Sequence, residues 1–286
     1  MDKINVSENL KIGEIIYVIA TYNLQYMRIS IIGSGNVATH LAAAFKNAGH
    51  RIVQVYSPNM QNAALLAYHV SAEAIDNLSH VSQETDVFII SVKDDVIASI
   101  AETLAKHGRL IAHTSGATDL RTLLNFTLKA GVFYPLQTLS KNKEVDFFTV
   151  PLCIEGADGS ITAQLVDLAR TVSNNVYQVN SAQRKILHLA AVFACNFSNY
   201  LYNIAQQLLA ENEMGFEMLR PLILETAQKV QTHLPAEVQT GPAIRNDENT
   251  MAVHLQMLDT KPDLRAIYEL LSQDIIKNNN TGHGHG

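Results

Sequence analysis

Arg28-Ile-Ser-Ile-Ile-Gly-Ser-Gly-Asn-Val-Ala38 is the stretch that decides how the first half of the chain is read. Arg28 to Ile32 is a short, β-branched apolar run of the kind buried in parallel sheets, and it stops at Gly33. Gly33-x-Gly35-x-x-Ala38 follows, and the residues from Ala38 to Ala48 have helical character up to Gly49. Each small residue has a physical task. Gly33 permits a tight turn, Gly35 lets backbone approach a pyrophosphate, and Ala38 lets the helix pack closely on the strand. The backbone from Gly33 through Ser34, Gly35, Asn36 and Val37 then turns its amides toward phosphate oxygens, where the helix dipole favours negative charge. Alone the glycines mean little; a strand before them and a helix after them give the pattern its context.

Outward from that turn, strands and helices alternate. Ile52 to Tyr56 is a second apolar strand, Met60 to Tyr68 is helical, and His69-Val70 opens a short third strand. Asp86 to Val92 is the clearest strand of all, and Asp94 to His107 carries Val96, Ile97, Ile100 and Leu104 at helical spacing. Arg109 to His113 and Ala130 to Tyr134 add two strands, and Val150 to Val179 reads as a further strand–helix–strand unit. The expected fold class is α/β, a doubly wound parallel Rossmann sheet with right-handed crossovers. After Asn180 the texture becomes helical. Ser181 to Glu211 reads as one helix with Ser181 as its N-cap, followed by helices over Phe216–Thr232, Asp247–Leu258 and Pro262–Lys277. The organisation expected is an extension over 1–26, a dinucleotide-binding domain over 27–180, an all-α domain over 181–277 and a disordered tail over 278–286.

Composition narrows the functions. The 286 residues fit two domains, and a net charge of −6 with scattered Lys and Arg gives no attraction to nucleic acid. No run reaches the ~20 apolar residues of a membrane helix. The segment Ile12 to Tyr26 contains Glu14, Asn23 and Gln25 and has no signal-peptide cleavage pattern, so a cytoplasmic protein is expected. Cys153 and Cys195 lack metal or redox spacing and read as buried apolar thiols, and no metal is expected.

The coenzyme follows from the end of the second strand. NAD binding usually uses an acid there to hold the ribose 2′-hydroxyl. Here stands Tyr56-Ser57-Pro58-Asn59, with no acid between Glu14 and Glu73. Ser57 and Asn59 can donate to a 2′-phosphate, so NADP is favoured over NAD. Ser91-Val92-Lys93 and His113-Thr114-Ser115-Gly116 end two strands at the carboxyl edge, where ligands of such sheets bind; capped turns into helices are the plainer reading of both. On the long helix Lys185, His188, Val192, Asn196 and Asn199 fall along one face, His188 and Asn196 about 12 Å apart along the axis. Imidazole suits proton transfer near neutrality, and His188 with Asn196 is the expected catalytic pair, against a purely structural histidine. Thr240-Gly-Pro-Ala-Ile-Arg-Asn-Asp247 makes a sharp turn in which Asp247 can cap the next helix. Arg245 there is either an ion-pair partner of Asp247 or, with Thr240, a clamp for an anionic substrate.

MRISIIGSGNVATHLAAAF, DVFIISVKDDVI, HTSGATDL, HLAAVFACNFSNYL and TGPAIRND together resemble a group of bacterial NADP oxidoreductases. In that group a Rossmann domain related to pyrroline-5-carboxylate reductase and the 6-phosphogluconate dehydrogenase superfamily precedes an uncharacterised helical domain. The resemblance runs from Met27 to Ile276. It implies a coenzyme site at Gly33 to Val37, a cleft holding His188, Asn196 and the Thr240–Asp247 loop, and a homodimer formed through the helical domain. Two departures stand out: Tyr134-Pro135 replaces the relatives' common His-Pro, and the catalytic lysine of hydroxyacid dehydrogenases has only Lys185 as a neighbouring candidate. The expected activity is hydride transfer between NADP(H) and a small anionic carbonyl or imine compound. A nucleotide sensor without turnover is the rival, and reduction of iron or a flavin by a deazaflavin-type relative is a third reading.

Overall fold

The computed structural model describes residues 26–282. The expected extension, Tyr26 apart, and the last four residues of the tail lie outside the described residues. Among the described residues eight strands form one sheet: β1 (Arg28–Ile32), β2 (Arg51–Tyr56), β3 (Glu73–Ile75), β4 (Val87–Ile90), β5 (Leu110–His113), β6 (Ala130–Pro135), β7 (Leu152–Gly156) and β8 (Val176–Gln178). Their order is β3-β2-β1-β4-β5-β6-β7-β8. The helices of this part are α1 (Asn36–Asn47), α2 (Met60–Val70), α3 (Ile97–Ala105), the short α4 (Arg121–Leu124) and α5 (Gly159–Arg170).

The sheet is doubly wound, and one pair departs from parallel. β6 and β7 run antiparallel, with Tyr134 opposite Cys153. A parallel crossover takes a dozen or more residues and usually a helix. The connection from Leu136 to Pro151 holds only a 3-10 turn at Phe147–Thr149, so the chain returns alongside β6 in the opposite direction. β4, β5 and β6 are buried along their whole length, as strands covered by helices on both faces must be. Two apolar cores result. One gathers Ile29, Ile31, Leu41, Phe45 and Leu165, the other Ile32, Phe88, Ile90, Leu104 and Leu123.

Register brings the strand ends level. Ile32 pairs with Tyr56 and with Ile90, and Ile90 pairs with His113. The ladder continues one step beyond: Gly33 N–H donates to the Tyr56 carbonyl, Ser91 N–H to Ile32, and Thr114 N–H to Ile90. The order reverses between β1 and β4, and the glycine turn sits at this switch point, where open α/β sheets bind ligands.

The long helix is not uniform. α6 (Ser181–Ala191) passes into a π-helical turn, Val192–Phe197, and then into α7 (Ser198–Ala210). Its N-cap is Asn180, one residue earlier than expected, in a reciprocal capping box with Gln183. Ser181 is diverted because its backbone N–H and its hydroxyl both donate to the Glu155 carboxylate. Cys153 is buried as expected, but Cys195, within the π turn, is exposed. The chain divides into two compact units between Tyr200 and Leu201. The second holds α8 (Arg220–Lys229), α9 (Glu248–Met257) and α10 (Pro262–Gly282). α10 continues past Lys277, with the Asn278 side chain donating to Asp274 and the Asn279 side chain to the Ile244 carbonyl.

Candidate active site

The glycine turn has the geometry its sequence called for. Gly33 has φ +128°, and a Cβ there would lie 2.1 Å from the Ser91 carbonyl oxygen and 3.3 Å from a Val92 methyl. Only glycine fits. Gly35 differs: nothing lies within 4 Å of where its Cβ would be, so the space above it is open. It is the N-cap residue of α1, and no side chain accepts a hydrogen bond from that helix start. The first helical amides, at Asn36 and Val37, are thus left for an outside acceptor. An open approach over Gly35, an uncapped helix and no acid in its first turn fit a dinucleotide pyrophosphate. Gly33 to Val37 would hold it.

At the end of β2 the Ser34 hydroxyl donates to Ser57 Oγ at 3.1 Å. Ser57 is buried, whereas Asn59 is exposed and caps α2 by accepting from Asn62 N–H through Oδ1. The Asn59 amide –NH2 has no hydrogen-bond partner among the described residues. Ser91 is buried and accepts from the Thr114 hydroxyl at 3.3 Å, while Lys93 is exposed. Ser115 is held in a turn: its hydroxyl donates to Asp94 at 2.9 Å and its oxygen accepts from the backbone N–H groups of Ala117 and Thr118. Asp94 therefore spends its carboxylate on Ser115 instead of capping the following helix, whose first turn has no side-chain cap.

His188 is carried to this edge. A Cβ on Gly116 would lie 2.6 Å from His188 Nδ1 and 2.9 Å from Tyr134 Cζ, so the imidazole rests directly on the glycine that follows Ser115. Nδ1 is 3.1 Å from the Tyr134 hydroxyl, the two rings meeting edge to face at 6.1 Å. Burial pushes the Tyr134 phenol up, the Cys153 thiol adding to the effect. Lys185 does not join His188; it pairs with Asp119 at 3.0 Å. Hydrogen bonds from Arg121, with Lys185 contributing, hold that carboxyl well below the ordinary range. Asn196 lies in the π turn and is exposed. A π turn closes i→i+5 and takes up about 4.4 residues against about 3.6 for an α turn. One of each makes about eight residues, the spacing from His188 to Asn196.

What holds α6 in place was not legible in the sequence. Arg184, one turn before His188, is wholly buried and donates to the Glu155 carboxylate, the Thr118 carbonyl and Ser181 Oγ. Ser181 Oγ in turn accepts from Leu120 N–H at 3.0 Å. Beneath lies His113, also wholly buried, whose Nδ1 accepts from Ser115 N–H. Burial, then the positive charge of Arg184, pushes its pKa down to about 3. Its ring is neutral, and its Nε2–H has no partner among the described residues.

The second unit carries the remaining candidates. Gly241 and Asn246 have positive φ (+112° and +51°), and the turn closes by Asp247 N–H donating to the Pro242 carbonyl. Asp247 caps α9, accepting from Thr250 N–H and the Thr250 hydroxyl. Arg245 is exposed and forms no direct ion pair among the described residues, yet its charge, after the hydrogen bonds from Thr250, helps hold the Asp247 carboxyl below its ordinary range. Thr240 is exposed as well.

Residues 28–115 match the family described as NADP oxidoreductase, coenzyme F420-dependent, and residues 150–275 match a domain of unknown function, DUF2520. The "putative NADP oxidoreductase" BF3122 from Bacteroides fragilis is 42% identical over 89% of this chain and 100% of its own, with a TM-score of 0.83. The chain belongs to this family of NADP oxidoreductases. An imine reductase from Myxococcus stipitatus in complex with NADP+ shares the fold at 13% identity and a TM-score of 0.65, over 90% of this chain and 96% of its own. Pyrroline carboxylate reductase from Plasmodium falciparum with NADP bound does so at 12% and 0.56, over 89% and 97%. No curated protein matches the chain by sequence.

Within this oxidoreductase, sequence reasoning missed three contributors: Gly116 under the imidazole, Tyr134 on its Nδ1, and the buried Arg184 that anchors the helix. Gly116 and Tyr134 stood in stretches already singled out, but nothing there tied them to His188; Arg184 did have such a signal. It stands four residues before His188, one helical turn, on the face that must turn inward if His188 does.

Proposed function

We propose that this NADP-binding oxidoreductase reduces a small, anionic carbonyl or imine compound with NADPH, and that His188 supplies the proton. The observation that carries the reading is the seat of His188: a long helix, anchored by Arg184, sets the imidazole on Gly116 at the carboxyl edge, level with the glycine turn. Reduced nicotinamide, when bound, supplies the hydride. His188 supports the reaction by holding a proton toward the substrate oxygen or nitrogen as negative charge develops there. Asn196 is the proposed second donor, and Arg245 with Thr240 the proposed contacts for the anionic group.

Preference for NADP rests on charge. An acid at the end of β2 would repel a 2′-phosphate, and Asn59 there is exposed, its –NH2 free of other hydrogen bonds among the described residues. Asn59→Asp keeps the cap of α2 and adds the charge. It should weaken NADPH binding and leave NADH binding unchanged or tighter, as measured by calorimetry. Equal affinities for both coenzymes in the parent protein would remove the basis for this preference. The pairing partner proposed is a second copy of the chain, held through the helical unit.

The experiment is a screen of small keto acids, imino acids and aldehydes, with an F420-type deazaflavin as one further hydride partner, following NADPH absorbance. His188→Asn is then run on each hit. Loss of general acid assistance typically costs ~10² to 10⁴ in rate. We expect that loss with coenzyme affinity retained. Full turnover by His188→Asn would end its assignment, and tight NADPH binding with no turnover of any compound would favour a sensor.

A further inference from the structure

Tyr134 lies outside every motif of the coenzyme site, yet its hydroxyl is on His188 Nδ1. We propose that Tyr134 is a positioning residue that fixes His188 as the Nε2–H tautomer, so that Nε2 is the atom giving its proton to the substrate. The proposal deepens the reductase reading above and rests on it.

Proton accounting carries it. A phenol has one proton to give. Among the described residues, the hydrogen-bond partner of the Tyr134 hydroxyl is His188 Nδ1 alone. Tyr134 is only 9% exposed, and burial keeps the phenol protonated through the neutral range. If Nδ1 also carried a proton, the phenol proton would have no acceptor among the described residues in a nearly buried place, which is costly. The phenol therefore donates, Nδ1 accepts, and the single ring proton sits on Nε2. The ring cannot easily turn away, because Gly116 leaves no room for even one added carbon between loop and imidazole. Arg184 fixes the helix one turn earlier through Glu155 and the Thr118 carbonyl.

The pairing also supplies a second proton. For a carbonyl substrate, reduced nicotinamide, when bound, would supply the hydride to carbon, and the π pair left on oxygen needs a proton from the chain. Oxygen forms its O–H bond with the Nε2 proton, the Nε2–H bond breaks and Nδ1 takes the phenol proton; the relay is then reset when Nε2 takes a proton from water and Nδ1 returns its own to the phenolate. A phenol of pKa ~10 stands well below the ~16 of water-like hydroxyls, so the transfer runs downhill even when burial raises the phenol.

The test reads the ring nitrogens of the full-length protein labelled with 15N-histidine. His188→Asn identifies the His188 signals. We expect a protonated Nε2 and an unprotonated, hydrogen-bonded Nδ1. In Tyr134→Phe the Nδ1 resonance should move to that of a free ring nitrogen, with NADPH affinity retained as the check on folding. On a substrate from the screen, kcat should fall by about tenfold to a hundredfold with the KM for NADPH unchanged. Gly116→Ala should displace the ring and lose the same Nδ1 signature with the tyrosine intact. A proton on Nδ1 in the parent, an unmoved Nδ1 in Tyr134→Phe, or undiminished kcat in that variant would each overturn the proposal. Absence of turnover by the parent sinks the reductase reading and the proton transfer with it. The wrong tautomer in a working reductase sinks this proposal alone.

Discussion

Three glycines at the carboxyl edge show three reasons for the same residue. Gly33 is needed for its φ and for the Ser91 carbonyl that a Cβ would strike, Gly116 for the imidazole above it, and Gly35 for nothing inside the protein. A glycine with open space over it points to something from outside. Gly35→Val should therefore leave the melting temperature within a degree or two, while NADPH affinity falls at least ~100-fold, because the branched side chain occupies the pyrophosphate path. Unchanged binding by calorimetry would mean the site is wrongly placed. Gly33 and Gly35 were legible because their spacing reflects a strand-to-helix turn within eleven residues. Gly116 was not, because its constraint comes from a residue 72 positions away. His113 gives a second test at this scale. Its folded pKa, about 3, lies below the ordinary value of 6.5. The unfolded chain then binds the proton first, so stability present above pH ~6.5 is lost as pH falls toward ~3, at about 1.4 kcal/mol per unit of depression. His50, its pKa also lowered by burial, acts in the same direction. His113→Asn keeps an acceptor for Ser115 N–H and removes the titration. Its melting temperature should fall less steeply between pH 7 and pH 5 than that of the parent; an identical slope would show that His113 is not neutral in the folded chain.

At the scale of elements, the decisive device is the fastening of α6 to the sheet. Helical periodicity predicted the helix from Ser181, and the capping box begins it one residue earlier. Periodicity could not show that Arg184 would be its innermost residue, since an arginine in a helical pattern reads as a solvated face. It is buried because Glu155 on β7 meets its charge, while Ser181 and the Thr118 carbonyl take further N–H groups. Removing one partner of a buried pair leaves the other charge uncompensated, which costs about 3–5 kcal/mol. Arg184→Met should thus destabilise the protein by roughly that amount in urea unfolding. Replacing both partners, Arg184→Met with Glu155→Leu, should recover part of the loss. A double variant no better than the single one would mean the network, not the charge, is what matters. The π turn was also invisible beforehand: Val192 to Phe197 reads as ordinary helix, and the extra residue per turn shows only in the hydrogen bonding. It changes the angular spacing along the helix: in a regular α-helix Asn196 would sit about 80° around the axis from His188, at the margin of one face, and a wider turn reduces that offset.

For the molecule as a whole, the two units differ in how they hold themselves together. The unit up to Tyr200 has two cores astride a sheet. In the unit from Leu201, by contrast, α8 and α9 bury no residue, and only Ala243 and Leu258 are buried apolar side chains among the described residues. Met218, Leu222, Leu224, Met257 and Leu270 are each more than half exposed. Helical periodicity can show that a face is apolar but not which chain covers it. Exposed apolar side chains of this kind fit an obligate homodimer interface, a class that buries ~2,000–5,000 Å². The proposed dimer therefore has a definite signature. Sedimentation equilibrium should give twice the 31.5 kDa chain mass at micromolar concentration. The melting temperature should rise with protein concentration, since folding and association are then one equilibrium. Leu222→Glu with Leu270→Glu should abolish the dimer and lower the melting temperature sharply, because each charge lands on surface that would otherwise be desolvated. A monodisperse monomer whose melting temperature ignores concentration would refute the dimer and require the helical unit to be covered some other way.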